Sequence, residues 1–136
     1  MIILKQIIEH KLPKEFDYHR SPSPWMQIKI MQVLGCLGQN DQKASEHVYE
    51  ILSQALRRAE DATNNIGFAL VFQCVLTAAK IYPQQSLLTE AAACISKFLE
   101  STSANLKYLG IRAMGEIFKS YPKILEEHQL TIVDCL

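Results

Sequence analysis

Six polar residues, arranged in two helical series, are the part of this 136-residue chain best placed to do chemistry. Gln73, Thr77 and Lys80 stand at i, i+4 and i+7, and Arg112, Glu116 and Lys119 repeat that spacing 39 residues further on. On a helix such spacing sets side chains in one line along a single face. Amide, hydroxyl and charged groups in this order suit hydrogen bonding and ion pairing with a partner protein. Two readings stand open: the line is the solvated edge that any inner helix needs, or it lines a concave groove that holds a partner. Arg57-Arg58 is a second basic pair, read as solvated surface because recognition of anionic lipid usually takes clusters of four or more cations.

Other reactive residue types do not form constellations. His10, His19, His47 and His128 are isolated from one another, and no local Ser-His-Asp or Cys-His signature accompanies them. Cys36, Cys74, Cys94 and Cys135 lie far apart without a Cys-x-x-Cys pair, so neither a zinc site nor a redox motif is indicated. Each is expected to be a buried, reduced thiol. The glycines Gly35, Gly38, Gly67, Gly110 and Gly115 fall in or beside helices, reading as close-packing positions or stops rather than a phosphate loop. No catalytic, cofactor-binding or metal-binding residue is assigned, and an enzyme is not expected.

Fourteen basic and fourteen acidic residues cancel, which speaks against a dedicated nucleic-acid binder. The opening MIILKQIIEHKLP is too short and interrupted for a signal peptide, so a cytosolic location is expected.

The elements that must position these residues are helices. Ile66 to Tyr82 is apolar on almost every side apart from Gln73, Thr77 and Lys80, so it must pack between others on two or three sides. At seventeen residues with a lysine it is marginal for a bilayer span of about 20. Met1 to His10 reads as the tail of a preceding hairpin. Residues 11–24 form an irregular loop whose three prolines forbid a continuous helix; Phe16 and Tyr18 are expected to pin it, and Pro24 to open the helix that runs to Leu37.

Gly38, Asn40 and Asp41 stop that helix and cap Lys43 to Ala59, where Ala44, Val48, Ile51, Leu52, Ala55, Leu56 and Ala59 make one apolar stripe. Asp61 to Asn65 is a turn. Tyr82-Pro83 closes the central helix, and Ser86 is expected to cap Leu87 to Leu99, with a second stripe of Leu87, Leu88, Ala91, Ala92, Ile95, Phe98 and Leu99. Ser101 to Ser103 turn the chain into Ala104 to Tyr121, and Ile124 to Leu136 begins a last helix with no stop signal. The whole is expected to be a single stretch, residues 1–136, cut in mid-structure at both ends.

A shift of 39 residues lays Tyr82-Pro83 on Tyr121-Pro122, and a shift of 41 lays Gln73 on Gln32; Gly35 falls on Gly115 at 80. Nearly all-apolar helices thus recur about every forty residues, alternating with one-sided ones. That period belongs to HEAT and armadillo arrays, so the fold is expected to be an all-α solenoid of about seven helices. Trp25, Phe72 and Ile111 should occupy related environments, and Phe72→Ala should cost about 3 to 5 kcal/mol.

PWMQIKIMQVLGCLG at Pro24 to Gly38, NNIGFALVFQCVLTAAKIYP at Asn64 to Pro83, NLKYLGIRAMGEI at Asn105 to Ile117 and TIVDCL at Thr131 to Leu136 resemble, in this order, the trunk of the large adaptin subunits of vesicle-coat adaptor complexes. KLPKEFDYHRSPSPW, LRRAED and KIYP look closest to the epsilon branch of that family. The resemblance implies a non-enzymatic solenoid arm of a heterotetramer, with a beta-type large adaptin, a medium subunit and a small subunit as partners. It implies recruitment by an Arf-type GTPase, peripheral membrane association through the complex, and cargo sorting at the trans-Golgi network. The family's signal and lipid contacts lie largely on other segments or subunits, so the resemblance carries no binding residue onto this stretch. Rival scaffolds of the same shape are a COPI-type coat subunit, a nuclear transport receptor and a phosphatase regulatory scaffold.

Overall fold

The structure, a computed structural model, describes residues 2–59 and 63–134. Along these residues run seven helices: α1 Ile2–Ile8, α2 Pro24–Leu37, α3 Gln42–Ala59, α4 Asn65–Lys80, α5 Gln85–Leu99, α6 Ala104–Ser120 and α7 Ile124–Val133. Their boundaries follow from the local chemistry. Pro24 takes the first turn of α2, where its missing N–H costs no hydrogen bond. The Asp41 carboxylate accepts from the Ala44 N–H at 2.9 Å and so caps α3. Asn64 caps α4 by accepting from the Gly67 N–H at 2.9 Å, and Ser103 caps α6 through Leu106. Ile81 turns extended after α4, two residues before Pro83, and the helix ends there. α5 differs from expectation: it starts two residues early behind Gln84, whose side chain makes no cap, and Ser86 lies inside the first turn. The expected turn at Asp61 and Ala62 lies outside the described residues.

The helices form two rows. In the inner row α4 packs between α2 and α6; in the outer row α3 packs against α1 and α5, and α5 against α7. α4 also touches α3 and α5, so it is covered by four helices, more than its all-round apolar surface led one to expect. One core runs between the rows, with Met31, Leu52, Leu56, Val75, Leu88, Ile95, Met114 and Ile117 all fully buried. Every member of the α5 stripe is buried, and in α3 Val48, Ile51, Leu52, Ala55 and Leu56 are, with Ala44 half-buried. Burying one such side chain stabilises by roughly 1.5 to 3 kcal/mol, so the seam between rows dominates the fold.

A second tie joins successive hairpins at their loops. The buried Ser45 hydroxyl donates to the Gly38 carbonyl at 2.9 Å and accepts from the Tyr82 N–H at 3.1 Å. The Tyr49 hydroxyl donates to the Tyr82 carbonyl at 2.8 Å. The α2–α3 loop is thereby fastened to the α4–α5 loop. The Tyr82 N–H also donates directly to the Gly38 carbonyl at 3.1 Å, so Ser45→Ala removes the hydroxyl's two bonds without stranding either backbone group and is expected to cost about 0.5 to 1.5 kcal/mol in urea unfolding; a loss below ~0.3 kcal/mol would show that the hydroxyl adds nothing to the direct backbone bond.

Four expectations need correction. Residues 11–24 are not pinned by aromatic burial: Phe16 and Tyr18 are about half exposed. Instead this segment folds as a turn at Lys14–Phe16 and a two-residue hairpin, β1 Asp17–Tyr18 paired with β2 Ser21–Pro22. His19 and Arg20 both take positive φ at the hairpin turn, and Ser23 ties the segment down through the Phe16 carbonyl. Trp25, Phe72 and Ile111 do not share an environment: Trp25 is 61% exposed, Phe72 half-buried and Ile111 37% exposed. The inner helices still stack, because the buried registers are Met31 and Leu34 on α2, Leu70, Val71, Cys74 and Val75 on α4, and Ala113, Met114 and Ile117 on α6. Since Phe72 keeps part of its surface in water, its truncation to Ala is expected to cost about 2 kcal/mol rather than 3 to 5.

The fourth correction concerns the thiols. Cys74 and Cys94 are buried, but Cys36 is exposed on α2, and Cys135 lies outside the described residues. Burial holds the Cys74 thiol far above its usual range, and its S–H donates to the Leu52 carbonyl at 3.4 Å. Iodoacetamide labelling of the native protein, mapped by mass spectrometry, should therefore modify Cys36 readily and Cys74 only on unfolding. Equal labelling of the two would contradict the burial of α4.

Candidate interaction groove

The two polar series do not behave alike. On α4 the series faces α2 rather than open solvent. Thr77 is 1% exposed, and its hydroxyl reaches the Gln73 carbonyl at 2.9 Å and the Met31 carbonyl at 3.1 Å. The Gln73 amide donates to the Thr77 oxygen at 3.2 Å and accepts from the Gln32 amide at 3.2 Å. The bonds to Gln32 and Met31 cross from α4 to α2, so Gln73 and Thr77 are a polar seam inside the α2–α4 interface. A Cβ at Gly35 would lie 3.6 Å from the Thr77 methyl and 3.4 Å from Lys80, ordinary contact distances, so the approach of α2 to α4 does not depend on a glycine there.

Lys80 lies beyond the buried end of that seam and is exposed. Its ammonium donates to the Cys36 sulfur at 3.2 Å. On α6, Arg112 and Lys119 are exposed and Glu116 is half-buried, with Lys119 bonded to Glu116 at 2.7 Å. Lys80, Arg112, Glu116 and Lys119 all line one groove of about 560 Å³ between the C-terminal halves of α4 and α6. Leu76, Ala79 and Ile81 supply its apolar wall, and Gln39, Asn40 and Tyr82 its rim. The Ser120 hydroxyl, donating to the Ala79 carbonyl at 2.8 Å, holds the two helices together there. Of the six residues singled out in the sequence, the structure thus gathers four and diverts Gln73 and Thr77 to a helix interface.

Of the rim residues, Asn40 and Tyr82 read in the sequence only as helix stops, and nothing there marked them or Gln39 as the edge of a groove. Asn40 adopts a left-handed conformation, φ 61°, in the tight α2–α3 loop, and its place beside α6's cations comes from the loop tie at Ser45 and Tyr82. Arg57 is not simply solvated either: its guanidinium bonds Glu90 at 3.1 Å, and Ser53 donates to the same carboxylate at 2.7 Å, joining α3 to α5 across the outer row. A smaller cavity of about 260 Å³ lies between α1, the hairpin, α2 and the start of α4, with Ile8, Met31 and Leu70 as floor and His10, Arg20 and Arg58 around it. Among the described residues no three His, Cys, Asp or Glu side chains gather where a metal could be held, and no helix is long and apolar enough to cross a membrane.

Hairpins stacked in two rows over a continuous core, with a polar groove on the inner row, define an α-solenoid scaffold. The chain belongs to the adaptin family: the Adaptin N terminal region family covers residues 2–136. It is 47% identical over 134 residues to the AP-4 complex subunit epsilon-1 of Homo sapiens and 44% to the AP-4 complex subunit epsilon of Arabidopsis thaliana, alignments that take in 98% of this chain. It is 31% identical over 134 residues, again 98% of the chain, to the AP-1 complex subunit gamma of Dictyostelium discoideum. The chain spans 12%, 14% and 15% of the lengths of these three relatives.

Proposed function

We propose that this chain is part of the trunk of a large subunit of a heterotetrameric vesicle-coat adaptor complex, working without catalysis in cargo sorting and intracellular protein transport at the trans-Golgi network. The observation that carries this reading is the family match along nearly the whole chain, together with higher identity to AP-4 epsilon subunits than to an AP-1 gamma subunit. The architecture fits the task. A solenoid offers a long surface on which other subunits can sit, and its stiffness comes from the shared core rather than from any one partner. Its partners on this reading are a beta-type large adaptin, a medium and a small adaptor subunit, and an Arf-type GTPase that recruits the complex. The chain meets membranes peripherally, through the assembled complex, from the cytoplasm. The groove residues Lys80, Arg112, Glu116 and Lys119 contact a protein partner.

The test is affinity capture of the full-length chain from cells. One small subunit, one medium subunit and one beta-type adaptin in equal amounts are expected. Capture of a phosphatase catalytic subunit, of COPI components, or of Ran with nuclear-localisation cargo in their place would reject the adaptor reading.

A further inference from the structure

The charges of this neutral chain are unevenly distributed between the rows. The inner helices α2, α4 and α6 carry the cations Lys29, Lys80, Lys107, Arg112 and Lys119 against the single carboxylate Glu116, although the chain as a whole has 14 of each sign. The excess of acids therefore falls on the outer row and the loops, and the inner face is the positive side of the molecule.

Within the α4–α6 groove that excess is concentrated and unspent. Glu116 is occupied by Lys119. Lys80 has only the Cys36 sulfur near its ammonium, and Arg112 has no hydrogen-bond or ion-pair partner among the described residues. Leu76 and Ala79, from the apolar wall, line the same groove as these two cations. An arginine fork pairs two N–H groups with one carboxylate, and charge-assisted bonds of this kind gain strength where a wall keeps water away.

We propose that this groove binds an acidic segment of a partner protein, with carboxylates on Arg112 and Lys80 and an apolar side chain seated on Leu76 and Ala79. The proposal rests on the reading that the groove holds a protein partner and names the chemistry of that partner. A peptide suits the site better than a lipid surface, because Lys80 and Arg112 stand exposed in a groove that also offers the apolar wall of Leu76 and Ala79, and one chain segment brings carboxylates and an apolar side chain together where a sheet of headgroups brings only charge. A nucleic acid backbone would demand a longer run of cations. Glu116, a carboxylate lining the same groove, repels the incoming carboxylates and neutralises Lys119, which sets the sign of its removal.

The experiment is fluorescence anisotropy on the full-length chain, with a fluorescein-labelled peptide of alternating Glu and Leu, its Lys-for-Glu counterpart, and vesicles of phosphatidylcholine containing phosphatidylserine. Expected is saturable binding of the acidic peptide, at least about tenfold tighter than the basic one and weakening as salt rises. Arg112→Gln and Lys80→Gln should each weaken it about tenfold, and Glu116→Gln should strengthen it two- to threefold, as removal of one repelling carboxylate implies. All three positions lie at the surface, so melting temperatures should not change. Equal affinity for the two peptides, indifference to the Arg112 and Lys80 variants, or vesicle binding lost on those variants without peptide binding would overturn the proposal. A chain that assembles with adaptor subunits yet ignores the acidic peptide loses this proposal alone and keeps the adaptor reading.

Discussion

Ile95→Ala is expected to lower the unfolding free energy by about 2 to 5 kcal/mol, the range for truncating a fully buried aliphatic side chain. Ile95 is 0% exposed in the middle of α5, the helix that touches α3, α4, α6 and α7. The lost methylene contacts lie where both rows meet, and few neighbours there are free to collapse into the space. For a chain of this size the loss corresponds to a fall in melting temperature of roughly 8 to 20 °C. Against a total stability of about 5 to 15 kcal/mol, that is a large share. Urea unfolding of the variant beside the parent chain measures it. A loss under ~1 kcal/mol would mean that α5 is not the centre of the shared core.

Gly110→Val is the second large effect, expected at about 2 to 3 kcal/mol of destabilisation from overpacking. A Cβ at Gly110 would sit 2.7 Å from Leu99 Cδ2 and 3.2 Å from Phe98 Cβ, so α6 lies against α5 with no room for a side chain. Valine adds two further carbons at a point where α5 cannot withdraw without opening its contact with α4. Gly115 supplies the control. Nothing stands within 4 Å of a Cβ built there, so Gly115→Ala should raise stability in this chain by up to about 1 kcal/mol through helix propensity alone. Opposite signs for two glycines five residues apart on one helix would be hard to obtain from any other arrangement of α5 and α6. Two changes of the same sign, or a neutral Gly110→Val, would contradict the close approach.

Much of this architecture is legible in the sequence. Tyr82-Pro83 and Tyr121-Pro122 punctuate α4 and α6, and the stripes of α3 and α5 assign their buried faces because each has a polar side to contrast with. The inner helices were harder for the same reason. α2 carries only Gln27, Lys29 and Gln32 as polar residues, so periodicity leaves open which flank meets α4 and which stays exposed; Trp25, Val33 and Cys36 fell on the exposed flank. Gln27 is buried, its amide taken by the Pro22 carbonyl at 2.6 Å, a bond no spacing announces.

The groove was half legible. Spacing aligned Gln73, Thr77 and Lys80 on one face, but a line along a helix does not say what lies opposite. For Thr77 the opposite group is the Met31 carbonyl, and for Lys80 it is the mouth of the α4–α6 groove. The hairpin at Asp17 to Pro22 escaped notice because its turn is His19-Arg20, without the Gly or Asn that usually marks such turns.

Hydrogen exchange of the native full-length chain, read by mass spectrometry peptide by peptide, tests the stacked rows most directly. Amides from Leu70 to Ala78 of α4 and from Ala91 to Leu99 of α5 should exchange most slowly, at rates set by global unfolding, while those of the hairpin at 17–22 should exchange orders of magnitude faster. If α4 exchanged as fast as that hairpin, it would not be enclosed by four helices, and the solenoid and the groove built on it would both be wrong.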